Sequence, residues 1–161
     1  MSSPKRVLFV CTGNSCRSVM AEALLGALLR RAGLDDVAVS SAGVFAVDGM
    51  SPTRETLRVL QDTGVDASAH QARTVSADMV QEADLILAME GFQTEEVARR
   101  FPSARGKAHL LKTYGLPAPE TVVNPNIPDP IGKPMEVYEV CFMEIREAVE
   151  RLAESLGVRG A

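Results

Sequence analysis

Val7-Leu8-Phe9-Val10 is a run of four β-favouring apolar residues with no polar position between them. A strand wetted on one side alternates apolar with polar residues. A short unbroken run is the pattern of a strand buried on both faces, as in a parallel sheet covered by helices. Leu85-Ile86-Leu87-Ala88-Met89 repeats the pattern, and Val37–Ser41 and Ala108–Leu111 are weaker versions of it. Between them lie segments with helical spacing. From Ser18 to about Ala32, apolar residues recur at Val19, Met20, Ala23, Leu24, Ala27 and Leu28, and Gly33 is the expected stop. Ser51-Pro52 has the form of a helix start and Gly64 of its end. Ser76–Ala83 and Thr94–Phe101 are expected to be short helices. Thr113–Pro134 is irregular, with Pro117, Pro119, Pro125, Pro128 and Pro130 ahead of its terminal proline. A long amphipathic helix then runs from Pro134 to about Leu156, with Tyr138, Cys141, Phe142, Ile145, Val149 and Leu152 on its apolar stripe. Alternating strands and helices of this kind imply an α/β domain with helices on both faces of the sheet.

The length of 161 residues fits one domain spanning 1–161. A chain of that size buries about two-thirds of its unfolded surface, so it needs no disulfide or metal staple. Seventeen Lys and Arg against twenty-one Asp and Glu leave a net charge of −4, which argues against a general nucleic-acid binder. Aromatics make up 4% with no Trp, too few for a base-stacking platform. No apolar run approaches the roughly 18 residues needed to span a bilayer. The five-residue stretch after Lys5-Arg6 is also short for a signal-peptide core of about 7–15 residues. A cytoplasmic location is therefore expected, with Cys11, Cys16 and Cys141 reduced.

The first strand runs into C-T-G-N-S-C-R-S, Cys11 to Ser18, read as a loop that enters a helix. In parallel sheets ligands bind beyond the carboxyl ends of the strands, where strand order reverses. Backbone N–H groups are free at a helix N-terminus, which carries roughly half a positive charge. Gly13 permits a tight turn that gathers amides into an anion nest, and Arg17 adds a planar fork suited to two oxygens of one phosphate. Thr12, Gly13, Asn14, Ser15, Cys16 and Ser18 complete the expected ring around such an anion. Cys11 would lie beneath it. The charges that hold the anion also stabilise a thiolate, and Ser18 is placed to hydrogen-bond the sulfur. Attack of that sulfur on phosphorus would give a cysteinyl-phosphate for water to hydrolyse. The nucleotide-loop patterns G-x-x-x-x-G-K-[ST] and G-x-G-x-x-G are absent from this segment.

With these residues in view the chain resembles the low-molecular-weight protein tyrosine phosphatase family, in its bacterial branch close to the protein arginine phosphatases. The likeness rests on Val7-Leu8-Phe9-Val10 leading into C-T-G-N-S-C-R-S, followed by Met20-Ala21-Glu22. It continues through Ser40-Ser41-Ala42-Gly43, His70-Gln71-Ala72-Arg73 and Asp129-Pro130 before the last helix. The resemblance implies a flavodoxin-like sheet of four parallel strands. It implies Cys11 as nucleophile, Arg17 as phosphate clamp and Asp129 as general acid. It also implies a network of Asn14, Ser18, Ser41 and His70 that supports the loop. Val19 stands where the family usually has Pro. Cys141, on the apolar face of the last helix, is read as core. Cys16 is either a small buried residue behind the loop or a second thiol able to form a disulfide with oxidised Cys11.

The substrate implied is a phosphorylated protein, with phosphate or another oxyanion in the loop. No cofactor or metal is implied, and the oligomeric state is not indicated. Tyrosine-directed members commonly follow Asp-Pro with aromatic residues, where this chain has Ile131-Gly132, and often carry an apolar residue at the position of Ser15. The arginine phosphatases resemble the chain in C-T-G-N, in Ser41-Ala42-Gly43-Val44-Phe45-Ala46 and in a glycine after Asp-Pro-x, but use threonine at the Ser15 position. Phosphotyrosine and phosphoarginine both stay open, with Phe45 a candidate pocket wall. Two other readings are carried. One is an arsenate reductase, since arsenate mimics phosphate; thioredoxin-coupled members need two further cysteines after the third strand, and Met89–Pro102 has none. The other is a non-catalytic phosphate-binding regulatory protein.

Overall fold

A computed structural model describes residues 3–117 and 122–160. Pro119, one of the prolines of the irregular stretch, lies outside these residues. The sheet has four strands, β1 (Arg6–Cys11), β2 (Ala38–Gly43), β3 (Leu85–Ala88) and β4 (Ala108–Leu110). All pair in parallel, in the order β2-β1-β3-β4. Five α-helices are described: α1 (Arg17–Arg31), α2 (Arg54–Gln61), α3 (Ala77–Glu82), α4 (Gly91–Arg100) and α5 (Met135–Ser155). This is the flavodoxin-like α/β arrangement.

The unbroken apolar run of β1 is used on both sides. Val7, Phe9 and Cys11 face a core built with α1, α2 and α5, where Leu24, Leu25, Leu60, Ile145 and Val149 are buried. Leu8 and Val10 face the opposite way, against Val80 of α3, Val97 of α4 and Ala104. Full burial of each such side chain contributes roughly 1.5–3 kcal/mol, which fixes β1 as the central strand. The chain leaves β1 toward β2 on one side and reaches β3 on the other. Strand order therefore reverses at β1, and the crevice of an α/β sheet opens at its carboxyl end.

Among the local boundaries that differ from the expectations, three bear on the site. Cys11 is the last residue of β1, opposite Gly43 of β2, and not a loop residue. That pairing gives the sulfur a rigid base. The second helix does not start at Ser51-Pro52. Thr53 is its cap, with Oγ1 accepting from the Thr56 amide at 3.3 Å. The Thr53 amide donates to Ser15 O at 3.1 Å, so the chain stays extended through this residue and the helix begins only at Arg54. The fourth helix begins at Gly91, ahead of the expected Thr94, because Gln93 Oε1 accepts from the Met89 and Glu90 amides at 3.0 and 2.9 Å.

Candidate active site

The loop from Thr12 to Cys16 lies between the end of β1 and the start of α1. It is tied down from outside. Val44 N donates to Cys11 O at 3.0 Å and Phe45 N to Thr12 O at 2.9 Å, both from the segment after β2. Gln93 Nε2 donates to Thr12 Oγ1 at 3.1 Å from α4. None of the amides of residues 13–16 is hydrogen-bonded to another backbone group among the described residues. A Cβ on Gly43 would meet Thr12 O at 2.4 Å and Asn14 N at 3.0 Å, so only glycine lets β2 approach the loop this closely.

Asn14 is the support at the centre. Its backbone is left-handed, with φ 56°, a conformation that Asn tolerates better than most residues. Its side chain is fully buried and fully used. Nδ2 donates to Ser18 Oγ at 2.7 Å and to Ser41 Oγ at 2.9 Å, and Oδ1 accepts from the Arg73 amide at 3.0 Å. Ser41 Oγ in turn donates to Glu22 Oε1 at 2.5 Å. His70 Nε2 lies 3.0 Å from Asn14 O, with Nδ1 3.7 Å from Glu22 Oε1. Asn14, Ser18, Ser41 and His70 are thus joined in one network. Sequence reasoning gave no role to its other members, Glu22 and Arg73. Arg73 also donates through Nε to Ser41 O at 3.1 Å.

The network ends on sulfur. Ser18 Oγ is 2.9 Å from Cys11 Sγ. Since Ser18 Oγ already accepts from Asn14, its proton is available to the sulfur, the arrangement that stabilises a thiolate. Arg17, the first residue of α1, is 1% exposed. Its Nη1 donates to Glu90 Oε1 and, at 2.7 Å, to Ile127 O. Nη2 is 3.6 Å from Asp129 Oδ2. Nε is buried with no partner among the described residues. The edge carrying Nε and Nη2 is the one that can take two oxygens of a phosphate in parallel. Asp129 is anchored by its own turn, with Oδ1 accepting from the Ile131 amide at 3.1 Å.

The remaining expected residues fall as follows. Ser15 is buried, and its Oγ is 3.8 Å from Cys16 Sγ. Cys16 Sγ lies 3.4 Å from Thr53 Oγ1 and 3.6 Å from Tyr138 OH. Burial pushes the Tyr138 hydroxyl upward from its ordinary range, so it remains a neutral hydrogen-bonding group. Cys141 is core, 4.0 Å from Pro128 O, and burial pushes its thiol up to about 12. All three cysteines are unpaired. Phe45 is 60% exposed beside the loop, with the Arg100 guanidinium 4.9 Å from its ring centroid. Arg100 also donates to Val44 O at 2.7 Å. A separate cavity of about 560 Å³ touches Glu22 and His70 but none of Cys11, Arg17 and Asp129; it is lined by α1, β2 and the segment around Val65–His70. No group of three or more metal-ligating side chains occurs among the described residues. No described helix is long and apolar enough to cross a membrane.

Comparison with known proteins gives the arrangement a family. The family described as "Low molecular weight phosphotyrosine protein phosphatase" matches residues 6–160. A protein-arginine-phosphatase of Geobacillus stearothermophilus is 38% identical over 153 residues, covering 95% of this chain and 97% of the relative. The probable low molecular weight protein-tyrosine-phosphatase EpsP of Ralstonia nicotianae is 34% identical, covering 91% and 92%. Among solved structures, the YwlE arginine phosphatase in a mutant form with a phosphorylated active-site serine superimposes with a TM-score of 0.85. It is 32% identical and covers 96% of this chain and 97% of that one. The chain belongs to the low-molecular-weight phosphotyrosine protein phosphatase family.

Proposed function

We propose that this protein is a cysteine-dependent protein phosphatase that works through a cysteinyl-phosphate. The observation that carries the reading is the pairing, at the junction of β1 and α1, of a Cys11 sulfur hydrogen-bonded by Ser18 with a buried Arg17 whose Nε has no partner among the described residues and whose Nη2 meets Asp129 at 3.6 Å. In the first step Cys11 attacks phosphorus as a thiolate. A P–S bond forms and the bond from phosphorus to the leaving group breaks. The leaving group takes a proton from Asp129, whose carboxyl stands 3.6 Å from Arg17 Nη2; a positioned acid contributes about 10²–10⁴-fold. In the second step water attacks phosphorus and gives its proton back to Asp129. The P–S bond breaks, and orthophosphate and the Cys11 thiolate are released. Arg17 and the loop amides stabilise charge on the equatorial oxygens in both steps. The similar YwlE arginine phosphatase, whose mutant form carries a phosphorylated active-site serine, supports a phosphorylated side chain as the intermediate.

The substrate we infer is a phosphorylated protein, with phosphoarginine preferred. Ser15 is small and polar, Ile131-Gly132 follows Asp129-Pro130 without an aromatic residue, and relatives named as arginine phosphatases are 38% and 35% identical to this chain. Phosphotyrosine is the second reading, supported by relatives named for it. The match over residues 6–160 supports one domain for the whole chain, and three unpaired thiols suit the reducing cytoplasm.

The test is a comparison of phosphate release from phosphoarginine and phosphotyrosine peptides of the same sequence, with arsenate reduction as a control. The expected result is faster release from phosphoarginine, no arsenate reduction, and no turnover by Cys11→Ser. Turnover by Cys11→Ser would end the mechanism. Phosphate binding without turnover by the unaltered chain would make it a binding module.

A further inference from the structure

The geometry points to Glu90 as a positioning residue that aims the Arg17 clamp, an inference that rests on the phosphatase reading above. Arg17 has five N–H bonds in a rigid planar fork. At 1% exposure none of them can be oriented by bulk water, so the protein must set the direction of the fork. It does so from one end only. Both hydrogens of Nη1 are taken, one by Glu90 Oε1 and one by Ile127 O. The other edge is left for a ligand: Nε has no partner among the described residues, and Nη2 reaches only the 3.6 Å contact with Asp129. A guanidinium held at Nη1 by two acceptors from different segments cannot rotate in its plane without breaking both bonds. The direction of the Nε–Nη2 edge is therefore set before any anion arrives, with Nη2 on the side of Asp129.

Glu90 is itself fixed. It is the residue before α4, and its amide is held at 2.9 Å by Gln93 Oε1, while Gln93 Nε2 donates to Thr12 Oγ1 at 3.1 Å. The first turn of α4 thus ties the clamp to the loop it serves. Glu90 has a second effect through its charge. A carboxylate beside a buried guanidinium compensates it in the free protein, and the same carboxylate opposes an incoming dianion. Ile127 O orients without charge; Glu90 orients and also lowers oxyanion affinity.

These two roles separate under substitution. Glu90→Gln keeps an oxygen acceptor for Nη1 and removes the charge. Glu90→Ala removes both. We expect Glu90→Gln to bind inorganic phosphate roughly three- to tenfold more tightly by calorimetry, the loss of one nearby like charge, and to lose less kcat on a small aryl phosphate than Glu90→Ala does. For Glu90→Ala we expect a loss of roughly tenfold or more in kcat, because a clamp free to turn is misaligned in the transition state. Its phosphate affinity should be weaker than that of Glu90→Gln. Wild-type kcat in Glu90→Ala, or identical behaviour of the two variants, overturns the inference. Should Glu90→Ala fail to fold, unchanged phosphate affinity in Glu90→Gln overturns it alone. Calorimetry does not depend on turnover, so an inactive unaltered protein would strike the phosphatase reading and leave this test readable.

Discussion

At the scale of single residues, the chemistry rests on side chains that are satisfied almost everywhere except where a phosphate would sit. Asn14 is the clearest case, because its role has two separable parts. Its backbone is left-handed at φ 56°, and its side chain spends both N–H bonds and its carbonyl on Ser18, Ser41 and Arg73. Asn14→Ala places a Cβ residue without local hydrogen bonding in the left-handed region, at a cost of about 1–2 kcal/mol, and leaves buried partners unpaired at about 1–3 kcal/mol more. The expected loss is on the order of 3 kcal/mol by denaturant unfolding, with turnover falling alongside. Asn14→Gly removes the backbone strain alone and should recover about 1 kcal/mol relative to Asn14→Ala. Equal stability of the two variants would show that the left-handed backbone is not strained. The same residues show what a sequence reveals. Cys11, Asn14, Arg17 and Ser18 were legible because they stand in one short segment between a strand and a helix. Glu22, Arg73, Glu90 and Gln93 were not, because each acquires its role only when the fold brings it to the loop. Arg73 bonds Asn14 across 59 positions, and Gln93 bonds Thr12 across 81.

At the scale of elements, the strands and the long last helix followed from apolar patterning, since burial alone decides them. Helix starts depended on contacts that patterning does not contain. Ser51-Pro52 has the right local chemistry for a start, but Ser15 O holds the Thr53 amide and the cap moves to Thr53. Thr53→Ala should cost about 1 kcal/mol, the usual value of a lost hydroxyl cap, read as a lower denaturant midpoint at unchanged slope. It should leave phosphate binding in place, because the Thr53 amide still holds Ser15 O and the hydroxyl reaches the loop only at the Cys16 sulfur, 3.4 Å away. The fourth helix carries a pH-sensitive link to the pocket rim. Hydrogen bonds from Arg99 and then Arg100 pull the Glu96 carboxyl down from 4.5 to about 2. Arg100 is the residue over the Phe45 ring. A carboxyl whose folded value is depressed adds stability at pH above its unfolded value, and that contribution is lost as the pH falls through the folded value of about 2. Any stability difference between the protein and its Glu96→Gln variant should therefore be present at neutral pH and shrink steadily as the pH falls from about 4.5 through about 2. A difference that does not shrink over this range would assign it to packing and not to charge.

At the scale of the whole molecule, the sheet, the loop and the three helices that grip it behave as parts of one equilibrium. The loop is bonded to the segment after β2, to α4 and to the start of α2, so unfolding any of them dismantles the anion site. An oxyanion that binds only the folded chain must then stabilise all of it. The linkage is RT ln(1 + [L]/Kd), about 2.7 kcal/mol at a hundredfold excess over Kd, which in a chain of this size moves the melting midpoint by several degrees. Phosphate or vanadate should raise the midpoint by that amount, and chloride at equal ionic strength should not. The net charge of −4 makes the control informative: simple screening of an acidic protein would stabilise it with either salt, whereas occupancy of the cup is specific to the tetrahedral anion. Arg17→Ala should abolish the shift, since it removes the buried guanidinium that stands beside Asp129 at the start of α1. A variant lacking Arg17 that melted higher with phosphate by the same number of degrees would place the anion somewhere other than the crevice at the end of β1.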